Sequence, residues 1–127
     1  MRYLLDTNAL IWTIFNPDRL SEQAREEIET CESLCTSVVS LWEIGIKQAI
    51  GKLDIDSTVG EIETSCNGLG IDVIPLTAEQ IDAIKALPMR HKDPFDRIII
   101  AQAITNGVSL ISSDQHIREY TEVETLW

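Results

Sequence analysis

Short apolar runs alternate along this chain with longer stretches in which apolar residues return every three or four positions. Tyr3–Leu5, Leu34–Ser37, Ile71–Pro75 and Val108–Ser112 are runs of the first kind and predict strands, with Val123–Leu126 as a further short strand. Asn8–Phe15 predicts a helix ended by Asn16-Pro17. Ser21 opens a second, Glu22–Glu32, in which Ala24, Ile28 and Cys31 recur at helical spacing. A third runs from Val38 to Ile50, stopped by Gly51, with Leu41 or Trp42, Ile46, Ala49 and Ile50 as its core stripe. Ser57 or Thr58 opens a fourth, carrying Val59, Ile62 and Cys66 to the stop at Asn67-Gly68 and Gly70. The capping box Thr77–Gln80 opens a fifth, stopped at Leu87-Pro88. Asp93-Pro94 is an N-cap followed by a first-turn proline, and this sixth helix reaches Thr105 before Asn106-Gly107. Gln115–Glu119 is a single turn. Strands alternating with helices imply right-handed crossovers. The expected fold is therefore an α/β class three-layer α/β/α sandwich on a mostly parallel sheet.

At 127 residues the chain is expected to be one domain, 1–127. No apolar run approaches the ~20 residues of a bilayer span, and the apolar run within the N-terminal MRYLLD is too short for a signal peptide. No membrane association is expected, and the cytoplasm is the expected compartment. Cys31, Cys35 and Cys66 are odd in number and lack a Cys-x-x-Cys pair, which argues for small buried hydrophobes over a disulfide framework or zinc site. The net charge is −11, from 21 acids against 10 Lys and Arg, which opposes nonspecific nucleic-acid binding through a basic face.

The acids are not scattered at random over the predicted elements. Asp6 and Asp114 end strands, while Glu43 and Asp96 stand early in helices that follow strands or their loops. In a parallel sheet those positions share the C-terminal edge, where ligands bind. Taken singly, each acid has an ordinary role. Asp6 could cap the helix after it, Ser40–Glu43 matches a capping box, Asp93 is an N-cap, and Asp114 sits in a Ser-Ser-Asp turn. With Ser37 as the cap instead, Glu43 lies about two turns into its helix and needs another purpose. Carboxylates converging on one edge repel unless a cation sits among them. Hard oxygen donors favour Mg²⁺ or Mn²⁺ over Zn²⁺. Such a site suits phosphoryl transfer to an activated water, with no protein nucleophile. His91 and His116 read as exposed loop residues, so Ser40, Ser112 and Ser113 have no histidine base.

LLDTNALIW, SVVSLWEIGIK with GKL after it, HKDPFDRIIIAQA and the terminal SSD resemble, in order and over nearly the whole chain, a PIN-domain protein. More narrowly they resemble the VapC-type toxins of bacterial type II toxin–antitoxin modules. The resemblance implies an Mg²⁺- or Mn²⁺-dependent endoribonuclease. Its acidic quartet falls on Asp6, Glu43, Asp96 and Asp114, with Asp96 in third place because it precedes the apolar run ending in Ala101. Asp93, Thr7 and Ser112 are expected to support the acids. Arg90, Lys92 and Arg97 are candidates for contacts to RNA phosphates. A cognate antitoxin and a homodimer are implied partners. Asn8 departs from the Asp-Thr-His common among close relatives.

Two other readings compete. A phosphoacceptor receiver domain needs an acid pair after the first strand and an acid ending the third, and Val73–Leu76 supplies none. A non-catalytic PIN-fold binding module would have no reason to keep the quartet, although it fits the overall acidity.

Overall fold

The computed structural model describes residues 1–127. Five strands form one sheet, all parallel: β1 (Arg2–Leu5), β2 (Ser33–Ser37), β3 (Ile71–Ile74), β4 (Ser109–Ile111) and β5 (Thr125–Leu126), in the order β3-β2-β1-β4-β5. The chain builds outward from β1 through β2 to β3, then crosses back to place β4 on the other side of β1. Adjacent strands that leave in opposite directions open a crevice at their C-terminal ends. Here that crevice lies between β1 and β4, directly above Asp6 and Ser112.

Seven helices cover the sheet: α1 (Thr7–Phe15), α2 (Glu22–Thr30), α3 (Val38–Ala49), α4 (Val59–Gly68), α5 (Ala78–Ala86), α6 (Pro94–Asn106) and α7 (Gln115–Arg118). Alternation along β1 divides the core in two, because successive strand residues point to opposite faces. Tyr3 and Leu5 join Ala9, Leu10, Leu41, Ile44, Ile62 and Ile71 beneath α1–α4. Leu4 joins Ile99, Ile100, Ala103, Leu110, Ile117 and Tyr120 beneath α6 and α7. The result is the three-layer sandwich that the alternating pattern implies.

Local chemistry accounts for the boundaries. Ser37, not Ser40, caps α3, its Oγ accepting from the Val39 amide at 3.0 Å. Thr58 and Thr77 open α4 and α5 with complete capping boxes. Gly107 closes α6 at φ +64°, a left-handed conformation that favours glycine. Several expected boundaries shift. α2 stops at Thr30, where Cys31 turns extended so that Ser33 can enter the sheet. β4 is shorter than Val108–Ser112, and β5 shorter than Val123–Leu126. Pro17–Arg19 is a 3-10 turn.

The stripe expected on α3 is corrected. Val39, Leu41 and Ile44 are the buried apolar residues and Ile46 is half-buried, whereas Ala49 is exposed and Trp42 and Ile50 are about 60% and 59% exposed. Leu41 and Ile44 are three apart and share a face, while Trp42 turns outward and meets Phe95 edge-on at 5.3 Å. No helix is long and apolar enough to cross a membrane.

Candidate metal centre

Helices in a parallel sandwich run back against their strands, so helix N-termini gather at the strands' C-terminal edge. Asp6 leaves β1 there and caps α1, accepting from the Ala9 amide at 2.8 Å. Glu43 lies in the second turn of α3. Asp96 lies in the first turn of α6, and Asp114 caps α7, accepting from His116 N at 2.8 Å. All four line one cavity of about 90 Å³ together with Thr7, Asn8, Lys47 and Asp93. None of the eight is apolar.

Glu43 is 6% exposed and both its oxygens are held. The Thr7 hydroxyl donates to Oε1 at 2.7 Å, and Lys47 Nζ meets Oε2 at 2.8 Å. Thr7 Oγ1 is also 3.0 Å from Ser40 Oγ; with its own proton given to Glu43, the Ser40 hydroxyl supplies that bond. Thr7 thus links Asp6, its chain neighbour, to Glu43 across the pocket. Ser112, fully buried, accepts from the Asp114 amide at 3.1 Å and hydrogen-bonds toward Asp6, favouring its charged form. Asp93 caps α6, its Oδ1 accepting from both Phe95 N at 2.9 Å and Asp96 N at 3.2 Å.

Burial dominates the electrostatics. Asp6 is 4% exposed, and desolvation pushes its carboxyl up to about 6, with Asp114 and Glu43 adding to the rise. Asp96 is pushed up to about 7, first by burial and then by the charges of Asp93, Asp114 and Glu43, against the opposing effect of His91. Lys47 is raised, chiefly by its bond to Glu43. Five carboxyl groups thus face one small volume containing one ammonium group. The donors are carboxylate oxygens at a polar, partly open site, and the repulsion among them is what a divalent cation offsets. This donor set fits Mg²⁺ or Mn²⁺.

The expected phosphate-contacting cations do not all reach solvent. Arg97 is 8% exposed, and its guanidinium donates to Pro88 O at 2.9 Å, Ile84 O at 3.0 Å and Tyr120 Oη at 3.1 Å. It is spent inside the protein because α6 turns it away from the pocket, one residue past Asp96. Arg90 is paired with Glu122 and lies over the Tyr120 ring. Lys92 is exposed. Three residues at the site were not among the expected site residues: Asn8, Lys47 and His91. The Glu43–Lys47 spacing of four was a legible signal for one. His91 is not the exposed loop residue expected. Its Nε2 is 2.7 Å from Asp96 Oδ2 and its ring stacks on His116 at 5.0 Å. His116 is the exposed one of the pair.

Comparison with known proteins agrees with this fold. The chain is 28% identical over 134 residues to ribonuclease VapC22 of Mycobacterium tuberculosis, covering 98% of this chain and 97% of that protein. Its fold is similar to that in VapBC2 of Rickettsia felis bound to a promoter DNA fragment, at 14% identity and TM-score 0.71 over 99% of this chain and 98% of that one. It is also similar to that in VapBC-1 of nontypeable Haemophilus influenzae, at 19% identity and TM-score 0.70 over 99% and 97%. The PIN domain family model matches residues 3–123, from the first strand to the loop before the last, and spans every element that contributes an acid to the pocket. The chain belongs to the PIN domain family.

Proposed function

We propose that this protein is a divalent-metal-dependent endoribonuclease acting as the toxin of a type II toxin–antitoxin module. The observation that carries the reading is the convergence of Asp6, Glu43, Asp96 and Asp114, far apart in sequence, on one cavity without apolar lining. The match to a protein named ribonuclease VapC22 supports the substrate class.

Asp6 and Asp96 would hold Mg²⁺ or Mn²⁺, with Glu43 completing the set and Asp114 holding a second ion or a water. When bound there, the ion lowers the pKa of a water and offsets charge developing on the phosphate. The protein's own groups do the rest. Thr7 and Lys47 fix both oxygens of Glu43, so that acid has one orientation. Ser112 favours the ionised form of Asp6 against its burial. Lys47, half-exposed at the pocket, and Lys92 on the neighbouring loop are the cations placed to meet RNA phosphates. Two lysines offset little of an overall charge of −11, so a narrow RNA target fits better than bulk RNA.

An antitoxin is the expected partner, since the structural neighbours are VapBC proteins. The apolar groove between α3 and α4, lined by Val38, Leu41, Trp42, Ile46 and Val59, offers it about 550 Å³. A homodimer is proposed on resemblance alone. The test is cleavage of total and transfer RNA with Mg²⁺ and with chelator. Site-specific cuts that need the metal and vanish in Asp96→Asn support the reading. Cleavage by Asp96→Asn at the native rate contradicts it.

A further inference from the structure

We propose that His91 is a positioning residue for Asp96, its ring holding one carboxylate oxygen so that the other is presented to the cation. The inference rests on the pocket being a cation site and adds a residue to it.

Asp96 has no capping duty, because Asp93 already accepts from the first free amides of α6. Its Oδ2 instead meets His91 Nε2 at 2.7 Å. In the form that would hold a cation Asp96 is ionised and only accepts, so Nε2 carries the proton of this bond. The distance is that of a charge-assisted hydrogen bond. One oxygen is thereby occupied and the other left over.

The histidine is itself held in place. Its backbone N is 3.0 Å from Tyr120 Oη, and the preceding Arg90 N is 3.2 Å from the same oxygen. Tyr120 Oη donates to Pro88 O at 2.9 Å, and Arg97 bonds both Pro88 O and Tyr120 Oη. The ring of His116 closes the far side of the His91 ring, stacked with 14° between planes. Buried Arg97 and Tyr120 therefore fix a loop whose product is one imidazole aimed at one carboxylate. Groups that orient a metal-ligating carboxylate typically change metal affinity about 10–100-fold when removed.

Direct ligation by His91 is the competing geometry, since one ligand atom each from His91, Asp93 and Asp96 lie within 4.8 Å of one another. The observed bond favours positioning, because Nε2 is directed at the carboxylate.

The test is calorimetric titration of Mg²⁺ and Mn²⁺ into the full chain at one fixed pH, for the native protein, His91→Gln, His91→Phe and Asp96→Asn, with thermal melts as the folding control. His91→Phe should weaken binding about 10-fold or more, while His91→Gln, whose amide still donates, should stay within about threefold of native. His91→Ala repeats the comparison should the phenylalanine variant not fold. Native affinity in His91→Phe, or equal loss in Phe and Gln, overturns the proposal. So does nitrogen hyperfine coupling in the spin-resonance spectrum of bound Mn²⁺, which would make His91 a ligand. If Asp96→Asn binds metal like the native protein, the pocket itself is wrongly assigned. If Asp96→Asn loses binding and His91→Phe does not, only the role of His91 fails.

Discussion

Two groups of buried charge stand a few residues apart in this protein and are built on opposite principles. Arg97 is buried with its donors satisfied by carbonyls of the α5 end and by Tyr120. Asp6 is buried and Asp96 half-buried among further acids, and their carboxyls are pushed up to about 6 and about 7. A paired or fully bonded charge stabilises a fold; like charges in one cavity oppose it. The first arrangement is structural. The second stores repulsion that a ligand of opposite sign would release, as the proposed cation site requires.

The largest expected effect separates the two groups by activity. Asp6→Asn or Asp96→Asn should reduce RNA cleavage by roughly 10³-fold or more, equivalent to about 4 kcal/mol of barrier. Neither should unfold the protein, because an asparagine also caps α1 and neither variant adds charge. Gel-resolved cleavage beside a circular dichroism melt checks both halves, and retained activity breaks the contrast.

Arg97 should behave oppositely. Arg97→Met removes the guanidinium that bonds Ile84 O, Leu87 O, Pro88 O and Tyr120 Oη, a loss of about 2–4 kcal/mol in urea unfolding. A loss below about 1 kcal/mol would show that water replaces the guanidinium and that the brace is dispensable.

The pH dependence sharpens the comparison. An unfolded aspartate ionises near pH 4, whereas folded Asp6 and Asp96 do so at about 6 and about 7. Between those values the folded chain keeps protons that the unfolded chain has shed. The stability this confers is complete below pH 4 and is lost as pH rises through 6 to 7. In chelator, the stability of native protein relative to Asp6→Asn should fall by about 1.4 kcal/mol between pH 5 and pH 8, the pKa unit that separates pH 5 from the folded value. Denaturant midpoints at the two pH values measure it, and a gap that stays constant contradicts the repulsion.

The smallest effect concerns the element that carries Glu43. Ser37→Ala should cost about 1 kcal/mol of stability by removing the α3 cap. Ser40→Ala, with no cap to lose, should leave α3 intact but loosen Thr7. Equal losses would return the cap to Ser40.

Much of this was legible in the sequence because it rests on local chemistry. Caps, prolines and glycines mark helix ends within a residue or two, and the strand–helix alternation implies the parallel sheet whose edge gathers the acids. Strand order was not legible, since nothing local in β4 says it returns beside β1. Nor was the fate of the cations: Arg90, Lys92 and Arg97 look alike in sequence, yet the helix turn buries Arg97, Glu122 takes Arg90, and Lys92 is left to solvent. His91 was missed for a related reason. Its bond to Asp96 crosses the cap of α6, where no fixed spacing governs which side chains meet.

The most direct test of the central claim is the thermal midpoint at pH 8 of native protein and Asp96→Asn, each in chelator and in excess Mg²⁺. The native protein should melt below the variant in chelator and gain about 5 °C or more with Mg²⁺, while the variant gains little. A native midpoint indifferent to Mg²⁺, or an equal gain in both proteins, would contradict it.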